Sequence, residues 1–278
     1  MNSILITGGD GFIAKSLRKS FLQDKQHSVC VPSYKDLNVC DFNQLKQFLS
    51  QNKFDIVIHT AIRGGRKYIK PDSLQDFYDN LISQENLLHF KNNYSRLICF
   101  SSGAENNQDY DISDIKEGQY SNPVPTNYYA LSKYINTQRA RAEPKCQILK
   151  LFNVFGPLEC TDRFITTALR AYIEKRPIEI YHDIYLDFFY IEDLYSIVKY
   201  SLDYEIPKEL NCCYLQKYKM SQICEIINNL SNYKVPIIIN NKEGKNYNGD
   251  SYLLDQLRIP AVGICKGIEE TYKSFTKE

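Results

Sequence analysis

Short apolar runs alternate with helix-like segments over the first half of the chain. The runs lie at residues 4–7, 28–32, 55–59, 96–101 and 146–152. We interpret them as strands, because a strand that is covered on both faces of a parallel sheet is apolar almost throughout. The run at 55–59, Asp-Ile-Val-Ile-His, is continuously apolar in this way.

Helical segments fill the intervals between these runs. Residues 13–21, 41–51, 76–91 and 128–142 read as helices, and in 76–91 the apolar residues recur at helical spacing. Strands that alternate with helices predict a parallel sheet with helices on both faces. The expected fold class is therefore α/β, with a doubly wound parallel sheet of the Rossmann type.

The alternation ends after Gly156-Pro157. Helices are predicted at 162–175, 220–230 and 268–275, and a short strand at 178–181. We expect a dinucleotide-binding Rossmann domain over residues 1–156, to which a strand and helix around 183–203 return. A smaller, interleaved substrate lobe is expected to comprise residues 157–182 and 204–278.

Composition and charge exclude several classes of protein. The formal net charge is +1 with the charges mixed along the chain, which argues against a nucleic-acid partner or a polybasic membrane surface. No apolar run approaches the length of a membrane span and the start of the chain does not resemble a signal peptide, so we expect a cytoplasmic protein. The nine cysteines form no Cys-x-x-Cys and only four His are present, which predicts reduced thiols, no disulfide framework and no metal site.

The segment Thr-Gly-Gly-Asp-Gly-Phe-Ile-Ala at residues 7–14 follows the first predicted strand and opens the first helix. Gly8 would allow a tight turn, and Gly11 would let the backbone approach a pyrophosphate. Ala14 is small enough for the helix to pack close to the strand, and the helix N-terminus faces the anion. In this context the spacing predicts a dinucleotide site, with a glycine turn that binds no ligand as the alternative.

Tyr129 and Lys133 stand four residues apart on the predicted helix 128–142. Residues at this spacing share a helix face, and a nearby ammonium lowers the pKa of a tyrosine toward the range of a general acid or base. The same spacing recurs at Tyr195 and Tyr204, but only Tyr129 opens the helix that follows the strand ending in Ser101-Ser102. Parallel-sheet enzymes bind ligands at such carboxyl ends, so this pair is the predicted catalytic pair.

Together these features resemble the extended short-chain dehydrogenase/reductase family, whose members modify nucleotide sugars. The resemblance covers nearly the whole chain, although Leu186 stands where the family commonly has an Arg. The segments that carry it are 7–14, 55–61, 80–88, 150–157, 187–193 and 250–260.

The resemblance assigns roles to single residues. Ser102 would complete the catalytic triad by a hydrogen bond to the substrate oxygen, with Ser101 as the alternative. Asn80 would brace the active site and Asn153 would touch the sugar nucleotide, and the structural alternative for both is a capping or turn residue. The remaining positions implied at the cofactor are Phe12, Ile13, Asp41 and Ala61. Arg63, Arg163 and Arg176 are candidate phosphate or sugar contacts, with a surface charge as the alternative for each. Family analogy also implies a homodimer.

The form of the cofactor is predicted from the end of the second strand. An acidic residue there would bind the ribose of NAD, but this chain has Ser33 and Lys35. A hydroxyl and a cation suit a 2′-phosphate, which favours NADP, with NAD as the alternative. Lys35 could equally be a solvated loop charge, and Asp41 could be a helix N-cap.

The resemblance is greatest to nucleotide-sugar 4-keto reductases, the GDP-fucose synthase group among them. Members that also epimerise use a Cys two residues past the catalytic Ser and a His in the substrate lobe. Ala104 and Arg163 stand at those places and cannot exchange protons. We therefore expect reduction of the C4 ketone of a nucleotide-activated deoxy sugar, in the synthesis of surface polysaccharides. A 4-epimerase and a non-catalytic NADP-binding sensor or scaffold are the alternatives.

Overall fold

A computed structural model describes residues 1–65, 71–120, 122–240 and 243–276 of the chain. Its strands are β1 (Ser3–Thr7), β2 (Ser28–Cys30), β3 (Ile56–His59), β4 (Arg96–Ser102), β5 (Ile112–Ile115), β6 (Cys146–Leu151), β7 (Val154–Phe155), β8 (Ile178–Ile180), β9 (Phe189–Tyr190), β10 (Glu209–Cys212), β11 (Ile237–Ile239) and β12 (Tyr247–Gly249). Its α-helices are α1 (Phe12–Asp24), α2 (Phe42–Gln51), α3 (Leu74–His89), α4 (Tyr128–Arg141), α5 (Phe164–Ile173), α6 (Ile191–Asp203), α7 (Met220–Asn228), α8 (Tyr252–Gln256) and α9 (Ile264–Thr276).

The main sheet has six strands in the order β10-β6-β4-β3-β1-β2. The pairs β1–β2, β1–β3 and β3–β4 are parallel, and β1, β3 and most of β4 are buried on both faces. The predicted α/β Rossmann architecture is confirmed. Since β2 and β3 flank β1 on opposite sides, the chain reverses its direction of travel across the sheet there, and such a point is where α/β folds bind ligands.

Helices α2, α3 and α4 contribute to one apolar cluster with the sheet. The cluster contains Leu45 of α2, Leu87 of α3 and Ala140 of α4, together with Val57 and Leu97 from the strands. Each of these helices begins at a side-chain cap: Asp41 for α2, Ser73 for α3 and Asn127 for α4. Caps of this kind satisfy backbone N–H groups that the first helical turn leaves without partners.

The chain divides into two compact units whose boundary differs from the predicted domains. The first unit comprises residues 1–107, 120–150 and 206–210, and the second comprises 108–119, 151–205 and 211–278. The strand that joins the main sheet after β6 is β10, whereas β9, within the segment 183–203 that was expected to return, pairs with β7 in the second unit. The segment 187–193 was expected in the main sheet because it resembles a late strand of the family, but a resemblance of sequence does not show which neighbour a strand pairs with.

The second unit contains three two-stranded sheets among its described residues, β8–β11, β5–β12 and β7–β9. Leu186 packs against a buried cluster that includes Ile112, Phe152 and Tyr247. This packing gives a physical reason for an apolar residue at position 186.

The nine cysteines are free thiols, and no group of three or more metal-ligating side chains occurs among the described residues. None of the helices in the described part of the chain is both long enough and apolar enough to span a membrane.

Candidate active site

The glycine turn after β1 is closed by a hydrogen bond from the Gly11 N–H to the Gly8 carbonyl (2.9 Å). Gly8 has φ +74°, and a Cβ there would lie 2.7 Å from the Cα of Ala61 in the loop after β3. Only glycine combines this backbone conformation with so close an approach. The turn therefore lies at the reversal point of the sheet, between the ends of β1 and β3.

Helix α1 begins at this turn, and among the described residues its first N–H groups are not bound by a capping side chain. The first turn of α1 contains no acidic residue. Phe12 and Ile13 open the helix, and Ala14 is fully buried behind them. A helix N-terminus of this kind attracts a phosphate, so the residues present fit the pyrophosphate of a dinucleotide.

The loop after β2 differs in detail from the sequence expectation. The Ser33 hydroxyl donates to the Asp36 carboxylate (2.6 Å), and the Asp10 carboxylate accepts from the Tyr34 N–H (2.7 Å). Lys35 is exposed. The Ser33 hydroxyl therefore already has an acceptor, so Lys35 is the stronger of the two predicted ligands for a phosphate.

Arg63 lies at this loop as well. Its guanidinium carbon is 5.3 Å from the centroid of the Tyr34 ring, and its Nε forms an ion pair with Asp79 (2.8 Å). The sequence suggested Arg63 as a candidate phosphate or sugar contact, with a surface charge as the alternative. The fold instead brings this cation to the end of β2. Asp41 caps α2 by accepting from the Gln44 N–H (3.0 Å), which is the structural alternative considered for it.

Helix α4 carries the predicted catalytic pair on one face. The Lys133 Nζ lies 5.9 Å from the centroid of the Tyr129 ring and donates to the Phe100 carbonyl of β4 (2.6 Å). Gly65, with φ +76°, runs against the Tyr129 ring: a Cβ there would lie 2.9 Å from a ring carbon. The phenol and the ammonium are therefore held together beside the end of β4.

Lys133 is almost completely buried, and burial lowers the pKa of its ammonium to about 8. The negative forms of Cys99 and Glu105 act in the opposite direction and raise this pKa. His59, at the end of β3, has a pKa lowered to about 3, first by burial and second by the charge of Lys133. The imidazole is thus neutral, and it is linked to Thr7 (2.8 Å) at its Nδ1.

The two serines at the end of β4 have different surroundings. The Ser101 Oγ is hydrogen-bonded to the Glu105 carboxylate and to the Thr137 hydroxyl of α4. The Ser102 Oγ accepts from the Ala104 N–H (3.2 Å) where a 3₁₀ turn, Gly103–Asn106, begins. Because Ser101 is engaged by a buried carboxylate, Ser102 is the better candidate to meet a substrate oxygen.

Asn80 of α3 is buried and connects the loop after β3 to helix α4. Its Oδ1 accepts from the Arg63 N–H (2.8 Å), and its Nδ2 donates to the Arg63 carbonyl (3.0 Å) and the Ser132 hydroxyl (3.2 Å). It therefore ties the loop after β3 to α4. These contacts support the bracing role that the resemblance implied rather than direct contact with a substrate.

Asn153 and Arg163 belong to the second unit. The Asn153 Nδ2 donates to the Asp187 carbonyl (2.9 Å), and Arg163 is exposed at the N-terminus of α5. Asp187 forms an ion pair with Lys217 (2.9 Å), and burial raises the pKa of this carboxyl to about 6 despite that partner.

Sequence reasoning missed one group of charged residues near β4. Glu105 and Lys150 are fully buried and form an ion pair (2.7 Å). One signal was present, because Lys150 is a single cation in the otherwise mostly apolar run 146–152. A cation in a buried strand requires an anionic partner, but the run itself does not show which one.

Comparison with known proteins finds a family and several relatives with similar sequences. A sequence model of the NAD dependent epimerase/dehydratase family matches residues 4–213. GDP-6-deoxy-D-talose 4-dehydrogenase of Aggregatibacter actinomycetemcomitans is 27% identical over 250 residues, which cover 84% of this chain and 82% of the relative. The dTDP-4-dehydro-6-deoxyglucose reductase of Escherichia coli is 26% identical over 317 residues, which cover 99% and 98% of the two chains.

The fold is shared with a solved GDP-mannoheptose C4 reductase from Campylobacter jejuni with NADP bound. The TM-score is 0.83 at 17% identity, and the match covers 98% of each chain.

Proposed function

This chain belongs to the NAD dependent epimerase/dehydratase family, and we propose that it reduces the C4 ketone of a nucleotide-activated deoxy sugar. The observation that carries the proposal is the placement of Tyr129 and Lys133 beside the end of β4. The names of two relatives, a 4-dehydrogenase and a 4-dehydro sugar reductase, agree with redox chemistry at this carbon.

The residues that would hold the cofactor fit a dinucleotide. Gly8, Gly11 and the start of α1 would receive the pyrophosphate, and Ala61 would line the opposite side of the turn. Lys133 would bind the nicotinamide ribose. When bound, the reduced nicotinamide supplies the hydride to the ketone carbon.

The side chains of this unit supply the proton and the oxygen contacts. Tyr129 donates its phenolic proton to the alkoxide that develops at the former ketone oxygen. The Lys133 ammonium lies 5.9 Å from the centroid of the Tyr129 ring and would stabilise negative charge on the phenol oxygen, and the burial of Lys133 strengthens that electrostatic effect. Ser102 donates a hydrogen bond to the same oxygen, which stabilises charge as it appears in the transition state.

NADP is the proposed form of the cofactor. Two cations, Lys35 and Arg63, lie at the loop after β2, and Arg63 is oriented by Tyr34 and Asp79. A guanidinium suits the planar, charge-assisted recognition of a phosphate. The carboxylates of Asp36 in the same loop and of Asp10 in the glycine turn, which accepts from the Tyr34 N–H, work against a 2′-phosphate, so the two cations must outweigh them.

An absorbance assay tests the proposal. The purified protein is mixed with NADPH and a panel of 4-keto sugar nucleotides that differ in base and sugar. Loss of NADPH absorbance with one of them is expected. Tight binding of NADPH without turnover on any of them would favour a sensor or scaffold.

The same panel distinguishes the epimerase alternative. A 4-epimerase retains its NAD, interconverts two sugar nucleotides and consumes no added NADPH. Interconversion without net oxidation of NADPH would therefore replace the reductase proposal with that alternative.

A further inference from the structure

Glu105 lies three residues after Ser102, within the 3₁₀ turn, and its carboxylate joins three elements. One oxygen accepts from the Thr137 hydroxyl of α4 (2.6 Å) and from the Ser101 hydroxyl of β4. The other oxygen contacts the Lys150 Nζ of β6 (2.7 Å) and accepts from the Tyr120 hydroxyl (3.2 Å). A single carboxylate therefore ties together the end of β4, the middle of α4 and β6.

The ion pair continues toward the surface. The Lys150 Nζ also contacts Glu209 of β10 (2.8 Å), whose carboxylate accepts two hydrogen bonds from the Arg141 guanidinium (2.8 Å each). The side chains of Glu105 and Lys150 are 0% exposed. Four charged groups thus alternate in sign from the end of β4 to the last turn of α4.

Stability alone does not explain this network. Removing charged groups from water is costly, and replacing a buried ion pair by apolar side chains of similar volume is often neutral or stabilising. The network is therefore better explained by what it does for the groups that it contacts.

Those groups include the catalytic face of α4. Thr137 stands four residues after Lys133, which stands four residues after Tyr129, so the three share one helix face. The titratable groups around Lys133 are Cys99 of β4, Glu105, His59 of β3 and Tyr129 itself. His59 is neutral, and a hydrogen bond with Cys146 together with burial raises the pKa of Cys99, whereas Glu105 forms an ion pair with Lys150.

We propose that Glu105 is a positioning residue for the catalytic helix. Its carboxylate, paired with Lys150, anchors α4 through Thr137 and the end of β4 through Ser101, and its negative charge stabilises the Lys133 ammonium. The role of Glu105 in catalysis rests on the proposed function. Its electrostatic effect on the Lys133 ammonium does not depend on that function.

The test titrates Lys133 in the protein without cofactor. Lysine is isotopically labelled, and the NMR signal of the Lys133 side chain is assigned by its loss in Lys133→Met. The midpoint in the natural protein is expected near the Lys133 pKa of about 8. In Glu105→Gln the midpoint should fall by about one pH unit, because a neighbouring negative charge has been removed.

Glu85→Gln is the matched control, because Glu85 forms an exposed ion pair with Arg139 on the outer surface of α4. Its Lys133 midpoint should equal that of the natural protein. An unchanged midpoint in Glu105→Gln, or an equal fall in Glu85→Gln, would overturn the inference.

Glu105→Gln leaves Lys150 with one anionic partner fewer and could fail to fold. The double variant Glu105→Gln/Lys150→Met removes both members of the pair and leaves Glu209 with Arg141. It should show a smaller fall in the Lys133 midpoint than Glu105→Gln, because loss of the Lys150 cation offsets part of the loss of the Glu105 anion. A midpoint above that of the natural protein contradicts the inference.

Turnover provides the second readout. Since the reaction needs the Lys133 ammonium, the alkaline decline of kcat in Glu105→Gln should begin at a pH about one unit lower. Glu105→Asp keeps the charge and should retain the Lys133 midpoint of the natural protein. If neither the natural protein nor any variant reduces a 4-keto sugar nucleotide, the proposed function fails. If the Lys133 midpoint still falls in Glu105→Gln, the electrostatic role of Glu105 stands.

Discussion

The phenol of Tyr129 is the proposed proton donor, and its removal is the most direct test at the scale of single residues. Tyr129→Phe keeps the ring against Gly65 and removes only the hydroxyl. Loss of a general acid should lower kcat by about 10²–10⁴-fold with little change in cofactor binding. Steady-state kinetics measure this. Tyr204→Phe is the control, because Tyr204 has the same spacing to Lys208 but is an exposed residue at the end of α6.

Arg63 should govern recognition of the 2′-phosphate. In Arg63→Ala, affinity for adenosine 2′,5′-bisphosphate should fall about tenfold, as expected for loss of a hydrogen bond to a charged group. Affinity for adenosine 5′-monophosphate should change much less. Calorimetry measures both, with Arg176→Ala, an exposed cation of the second unit, as control. An equal loss for both ligands would assign Arg63 a general structural role.

His59 makes the stability of the first unit depend on pH. Its folded-state pKa is lowered to about 3 from an ordinary 6.5, so below about pH 6.5 the unfolded chain binds a proton that the folded protein does not. Stability should therefore fall as the pH drops through this window, by up to about 2 kcal/mol at pH 5. Urea unfolding at about pH 7.5 and pH 5 measures the loss, and His59→Gln should reduce it. Equal losses in both proteins would contradict this assignment.

At the scale of elements, α3 presents an apolar stripe on its outer face. Leu74, Tyr78 and Ile82 are 49%, 49% and 42% exposed, and their spacing of four residues places them on one face. Such a stripe supports the homodimer implied by the family resemblance, which stays a prediction.

Ile82→Glu should weaken a dimer that forms through this stripe, because the charge would be buried in the contact. Sedimentation over a range of concentrations measures the dissociation. Leu22→Glu on α1, also exposed, is the control and should not change the oligomeric state. A natural protein that is monomeric at high concentration would remove the basis for this interface.

At the scale of the whole molecule, the chain passes between the two units several times. The first unit takes residues 206–210 from late in the sequence, and β10 forms an edge of the main sheet. Those residues include Glu209, a partner of the fully buried Lys150. The Rossmann unit therefore requires chain from beyond its apparent end.

A fragment of residues 1–150 should accordingly lack cooperative unfolding, because β6 loses its neighbour β10 and Lys150 loses its anionic partner Glu209. Thermal unfolding followed by circular dichroism compares the fragment with the full chain. A single steep transition for the fragment, at the temperature of the full chain, would contradict this expectation.

Local pattern was sufficient to predict much of the fold and of the candidate site. The glycine turn, the strand that precedes it and the helix that follows are contiguous, and Tyr129 and Lys133 are one helical turn apart. Periodicity and backbone chemistry act over such short distances, so the residues themselves determine these features. The same holds for the predicted helices that match α2, α3 and α4, because the cap and the apolar positions of each helix lie within the segment or within three residues of its start.

Only the tertiary structure decided which distant segments meet. The pairing of β10 with the main sheet, the contact between Arg63 and Tyr34, and the ion pair between Glu105 and Lys150 join residues separated by long stretches of chain. A charged residue in an apolar run indicates that an oppositely charged partner is required, but many residues of the chain have the right charge. The choice among them depends on the packing of the whole sheet, which a single sequence does not display.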